Sequence, residues 1–260
     1  MSRFGNLELG GESEDQSHPL KPLVKDEAYY NTEAQTAFEN ANFELGLRMY
    51  AKVLEFNAQA PHAWGGQVRM LIELGELREA KLWAEKALEH FPNDPELLAA
   101  KAVALARSGD VHAGLVFSDA AIRERGDTPY VWVARGDVLL ARKERRADYC
   151  FEKALSLAQQ DWFVAWLVAR VRYYYEQFAL ALKLLQQALE RNAGHFVLWL
   201  DLGRCQQQLG LVGAARNSFM QARQLNPDCR DAGLALSGLS RVSSGQVVRG
   251  WLRRLFHRST

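Results

Sequence analysis

PHAWGGQVRMLIELGELREAKLWAEKALEHFPND, residues Pro61 to Asp94, is a unit that the rest of the chain repeats. Trp64 is followed at intervals of 34 residues by Leu98, Trp132 and Trp166, then after 33 by Trp199, while Tyr30 lies 34 upstream. A ladder of small residues runs in step through Gly46, Ala80, Gly114, Ala147, Ala181 and Ala215. A third follows each of these seven residues on, at Val53, Ala87, Ala121, Ala154, Ala188 and Ala222. One fixed period of this length marks a repeat architecture, in which each unit is a supersecondary element that buries its apolar face on its neighbours. The chain reads as an array, not as a globular catalytic domain.

The punctuation between ladders agrees with helical pairs. Turns within units read Ala41-Asn42-Phe43, Gly75-Glu76-Leu77, Gly109-Asp110-Val111 and Gly210-Leu211-Val212, and Gly ends a helix readily because it reaches positive φ without strain. Asp94-Pro95 and Thr128-Pro129 supply an N-cap followed by Pro at the first helical position. All seven prolines fall in the N-terminal arm or at unit boundaries, away from helix interiors where each would cost about 3 kcal/mol. Units four and five depart from the pattern. From Trp132 to Ala147 and from Trp166 to Ala181 the spacing is 15 rather than 16, which predicts a turn one residue shorter and without Gly in both.

The period and the large–small–small rhythm resemble the tetratricopeptide repeat. In the quoted unit the matching residues are Trp64, Leu71, Gly75, Ala80, Ala84, Ala87 and Pro92. The pattern has a packing reason: antiparallel helices in contact need a small residue at the crossing and a large one in the adjacent hole. The resemblance runs from about Glu27 to Cys229 as six units. It implies an all-α, right-handed α-solenoid of antiparallel helix pairs with divergent C-terminal capping helices. The expected divisions are an acidic, polar and disordered arm at 1–26, the solenoid at 27–229, a capping helix and linker at 230–245, and a basic amphipathic helix at 246–260.

Lys and Arg number 32 against 31 acids, so no whole-protein field draws nucleic acid, a disfavoured partner. Cys150, Cys205 and Cys229 show neither paired nor CxxC spacing, which suits packing residues in a reducing compartment. No signal-like apolar run and no stretch of membrane-spanning length occurs. A soluble, cytoplasmic protein is the expectation. No phosphate-binding loop, metal-ligand spacing or nucleophile–base arrangement appears, so the sequence predicts neither catalysis nor a cofactor. The basic turn Arg142-Lys143-Glu144-Arg145-Arg146 lacks the aromatic interleaving of nucleic-acid sites.

What remains is surface. The resemblance implies that the first helix of each pair lines a concave face, with contacts at its second, fifth, ninth, twelfth and thirteenth positions. Phased on the tryptophan ladder, this places Arg69, Arg107, Asp137, Leu140, Leu167, Val171, Tyr174, Tyr175, Arg204 and Gln207 along a groove. The groove is apolar and aromatic in the middle and flanked by arginines, a lining suited to a peptide or an amphipathic segment of a partner protein. The open alternative is that these side chains pack against the neighbouring helix. The lining lacks the Lys and Asn set that some family members use to clamp a terminal carboxylate. The favoured expectation is a non-enzymatic scaffold or adaptor. The second is a peripheral membrane organiser held by the tail, where Trp251, Leu252, Leu255 and Phe256 form an apolar face beside Arg253 and Arg254. Such a helix suits an anionic membrane interface, the end of the solenoid, or a partner protein.

Overall fold

A computed structural model describes residues 25–125, 127–159 and 161–239. Twelve α-helices fill them up to Leu225, in six pairs. These are α1 (Glu27–Glu39) with α2 (Phe43–Phe56), α3 (Pro61–Leu74) with α4 (Leu77–His90), and α5 (Pro95–Arg107) with α6 (Val111–Arg123). Then follow α7 (Pro129–Ala141) with α8 (Ala147–Leu157), α9 (Trp162–Tyr174) with α10 (Phe178–Arg191), and α11 (Phe196–Gln208) with α12 (Val212–Leu225). A further helical stretch covers 230–239, and no strand occurs among the described residues. None of the described helices is long and apolar enough to cross a membrane. Residues 1–24 of the expected arm, 240–245 of the expected capping helix and linker, and the whole tail, with Trp251, Leu252, Arg253, Arg254, Leu255 and Phe256, lie outside the described residues.

Local chemistry accounts for the helix ends. Asp26, Asn42, Asp94, Asp110, Thr128 and Asp161 each accept a backbone N–H from the first turn of the helix they precede, satisfying donors that the helix leaves orphaned. Pro61, Pro95 and Pro129 open α3, α5 and α7. The turn between paired helices carries one left-handed residue at the same place in every unit: Ala41, Gly75, Gly109, Lys143, Glu176 and Gly210. Three of the six are not glycine and hold φ between 53° and 59°, a conformation that costs an L-residue about 1–2 kcal/mol.

The ladders are packing devices. Ala80, Ala147, Ala181 and Ala215 are fully buried where paired helices cross, as are Val53 and the alanines of the third ladder. At Gly114, which shares this position, a Cβ would stand 2.9 Å from the carbonyl oxygen of Ala102 on the facing helix, so nothing larger fits.

Unit five requires a correction of register. Ala147 follows the left-handed Lys143 by four positions, whereas Gly114 follows Gly109, and Ala181 follows Glu176, by five. The missing residue therefore belongs to the unit-four turn alone, and the unit-five turn has full length. Counted from the N-caps Thr128 and Asp161, the position of Trp132 in unit five is held by Ala165, not Trp166. The interval between Trp132 and Trp166 matches the period by coincidence, and a one-residue offset turns a side chain about 100° around a helix.

The first helices of successive pairs pack side by side from α3 through α5 and α7 to α9, whereas the second helices scarcely touch one another. The buried alanines of α5 (Ala99, Ala100, Ala102, Ala104 and Ala106) permit that close approach. Crowding on one side only bends the stack toward that side, so the first helices line its inside. The bend is strong enough that unit one returns to touch unit five, as the ring contacts below describe.

Candidate functional site

The inside of the curve is where the sequence points, and most of it is filled by the chain itself. Phe38 of α1 is 2% exposed, with its ring 5.1 Å from Phe163 and 6.2 Å from Trp166 of α9. The Arg69 guanidinium lies 4.8 Å from the Phe38 ring and 4.0 Å from the Tyr130 ring, a cation held between two π faces. Behind it, Arg107 Nη2 donates to Asp137 Oδ2 at 2.6 Å and Tyr175 Oη to Asp137 Oδ1 at 2.8 Å. Burial alone would depress the Arg107 guanidinium; the carboxylates of Asp137 and Glu73 outweigh it and push it above its ordinary value. Burial raises the Tyr175 hydroxyl, and the Asp137 carboxylate adds to the rise. Between these groups a void of about 30 Å³ remains, bordered by Phe38, Arg69, Asp137, Leu167 and Val171 among others, room for roughly one water.

A second network ties α3, α9 and α11. Arg170 Nε donates to Glu73 Oε2 at 2.8 Å, its Nη2 to the same oxygen, and its Nη1 to Asp201 at 3.5 Å. Its guanidinium also stands over the Phe43 and Trp166 rings at 4.7 and 5.2 Å. Asp201 accepts Trp166 Nε1 at 2.8 Å and Arg204 Nη1 at 2.8 Å, and Arg204 reaches on to Asp231 at 2.5 Å. Burial works to raise the Glu73 carboxyl, but Arg170 and Arg107 prevail and hold it below the usual carboxylate range.

Beyond this network the inside opens into a cleft of about 620 Å³. Its walls are the C-terminal ends of α3 (Ile72 to Gly75), α9 (Ala169 to Glu176) and α11 (Arg204 to Gln208), with Arg107, Phe178 and Leu185 completing the lining. Tyr173 and Phe178 meet edge to face at 5.2 Å, and Arg107 covers the Tyr174 ring at 4.2 Å. Cys205, on the floor, is fully buried, and burial pushes its thiol up to about 12, the state of a packing residue rather than a nucleophile. Among the described residues no cluster of His, Cys, Asp and Glu is arranged to hold a metal.

The groove residues anticipated from sequence divide among several places. Arg107, Tyr174 and Arg204 line the cleft. Arg69, Asp137, Leu167 and Val171 border the small void, and Arg107 reaches both. Leu140 and Tyr175 edge a separate hollow of about 490 Å³ beside the unit-four turn, and Gln207 is exposed. Leu140, Leu167 and Val171 are buried, each at most 8% exposed. Phasing unit five on Trp166 missed Phe163, Trp166, Arg170 and Tyr173, the residues that do face inward from α9. Asp161, an N-cap one residue early by the 34-residue period, was the signal that could have found them. Phe38, Phe43 and Asp201 left no such signal.

Family profiles described as tetratricopeptide repeat match residues 31–95 and 174–239. No curated protein matches in sequence. Among solved structures, the chain is similar to YrrB, described as a TPR protein with an unusual peptide-binding site, at 17% identity and a TM-score of 0.42, over 72% of this chain and 96% of that one. It is similar to the APC/C hetero-tetramer Cut9-Hcn1 at 15% identity and a TM-score of 0.48, over 86% of this chain and 51% of that one. A human IFIT1 dimer with m7Gppp-AAAA aligns at 19% identity and a TM-score of 0.51, over 83% of this chain and 56% of that one. The chain thus spans about half the length of the last two. Identities this low speak to the fold alone.

Proposed function

Because the chain belongs to the tetratricopeptide repeat family, whose fold serves as a protein interaction scaffold, we propose that it acts without catalysis, holding a short segment of a partner protein in the cleft at the ends of α3, α9 and α11. One observation carries this reading. The inside of the stack is closed by Phe38 and Arg69 down to about 30 Å³, whereas the cleft keeps about 620 Å³, within the range of ligand sites. The cleft combines an aromatic wall with a polar network whose members hold one another in place, so it is pre-formed, and pre-formed sites spend less on ordering when they bind. A groove running the whole length of the array is not part of this reading; the segment engages one end of the inner face.

A photo-crosslinking amino acid in place of Tyr174, which is 49% exposed, tests it in cells of the native host. Adducts are expected from that position and not from Lys153, exposed on α8. Adducts from Lys153 alone would place binding elsewhere and defeat the proposal.

A further inference from the structure

We infer that the cleft selects its partner by positive charge, seating a Lys or Arg side chain beside apolar residues. The inference rests on the reading of the cleft as the binding site. Three guanidiniums meet the cleft, and each is committed to carboxylates. Arg170 donates to Glu73 and Asp201, Arg204 divides between Asp201 and Asp231, and Arg107 gives Nε and Nη2 to Asp137. An incoming anion that took over those bonded N–H groups would have to displace a carboxylate and leave its charge unpaired, which is unfavourable where the pair is buried, as at Arg107 and Asp137.

The acceptors are not exhausted. Glu73 takes both of its Arg170 bonds on Oε2, so Oε1 meets no donor among the described residues. Glu176, exposed at the edge of the cleft, has no ion-pair partner among them. The aromatic wall adds to the preference: Arg107 already sits 4.2 Å from the Tyr174 ring, and Tyr173 and Phe178 stand beside it in the same lining. Cations are drawn to such faces. The backbone works in the same direction. The cleft is built at the C-terminal ends of three helices, and each such end carries roughly half a negative charge from carbonyls without intrahelical donors. Spare carboxylate oxygens, aromatic faces and helix C-termini favour a cation together, and the charge of each guanidinium is already matched by a carboxylate.

Selection of a phage-displayed library of random dodecapeptides on the full chain, followed by anisotropy titration of the synthesised peptides, tests the inference. The expected winners are rich in Lys and Arg and bind less tightly as salt rises. Glu176→Lys should weaken them about tenfold, the factor that a 1.4 kcal/mol loss produces, while Glu152→Lys on the outer face of α8 changes nothing. Lys143 holds the same left-handed turn position in unit four, so Glu176→Lys is compatible with the fold. Winners without basic residues that are weakened by Tyr174→Ala would overturn charge selection and leave the cleft as the site. Winners indifferent to both Glu176→Lys and Tyr174→Ala, or an empty selection, would overturn both readings.

Discussion

Truncating Phe38 to alanine removes the side chain that closes the inside of the stack. The ring is 2% exposed and touches the rings of Phe163 and Trp166 and the Arg69 guanidinium. Losing a buried Phe side chain costs about 3–5 kcal/mol, from transfer and from the cavity left behind. The location of the loss is as informative as its size. In an open solenoid, stability is a sum of units and nearest-neighbour interfaces, so a change in unit one would loosen units one and two only. Here Phe38 rests on α9, 125 residues further on at Phe163. Amide exchange should therefore speed up in α9 as well as in α1, read by mass spectrometry, while urea denaturation followed by circular dichroism gives the total. A double-mutant cycle with Phe163→Ala should return a coupling of about 0.5–1.5 kcal/mol, the range for an aromatic pair. A total below about 1 kcal/mol, or additivity within about 0.3 kcal/mol together with unchanged protection in α9, would refute the closure.

Trp166→Phe keeps most of the ring but deprives Asp201, 7% exposed, of its Nε1–H donor; the expected loss is about 1–3 kcal/mol by urea denaturation, and a change within about 0.3 kcal/mol would mean the bond is not formed in solution. His195 lies against the Trp162 and Phe196 rings, and burial lowers its imidazole below the ordinary 6.5 despite the opposing pull of Glu39. A depressed folded value means that the unfolded chain takes up the proton first, so the contribution is present above about pH 6.5 and is lost as pH falls through the folded value. Melting temperature should therefore decline below that pH in the native chain and less so in His195→Gln; identical profiles would dismiss the role.

Much of the fold was legible because it is local. N-caps, Pro at first helical positions, glycines at turns and small residues at crossings all act within one unit or between neighbours, and their spacing shows directly in the chain. The site was legible only in part. Arg107 and Arg204 emerged from the repeat phase and line the cleft, and Tyr174 joined them only because the twelfth and thirteenth positions adjoin, whereas Phe163, Trp166, Arg170 and Tyr173 were displaced by a single residue missing after Lys143. A tryptophan at the expected interval concealed that step.

By itself, then, the sequence determined the period, the helical pairs and the buried ladders, since each depends on contacts no more than a unit away. Tertiary structure alone decided where the inside closes and where it stays open. The bend that carries α1 onto α9 accumulates from small rotations between successive units, set by how closely α3, α5, α7 and α9 approach one another. No single unit encodes that sum. Which aromatic meets which across the curve, and which carboxylate is left with a spare oxygen, follows only once the rotations have added up.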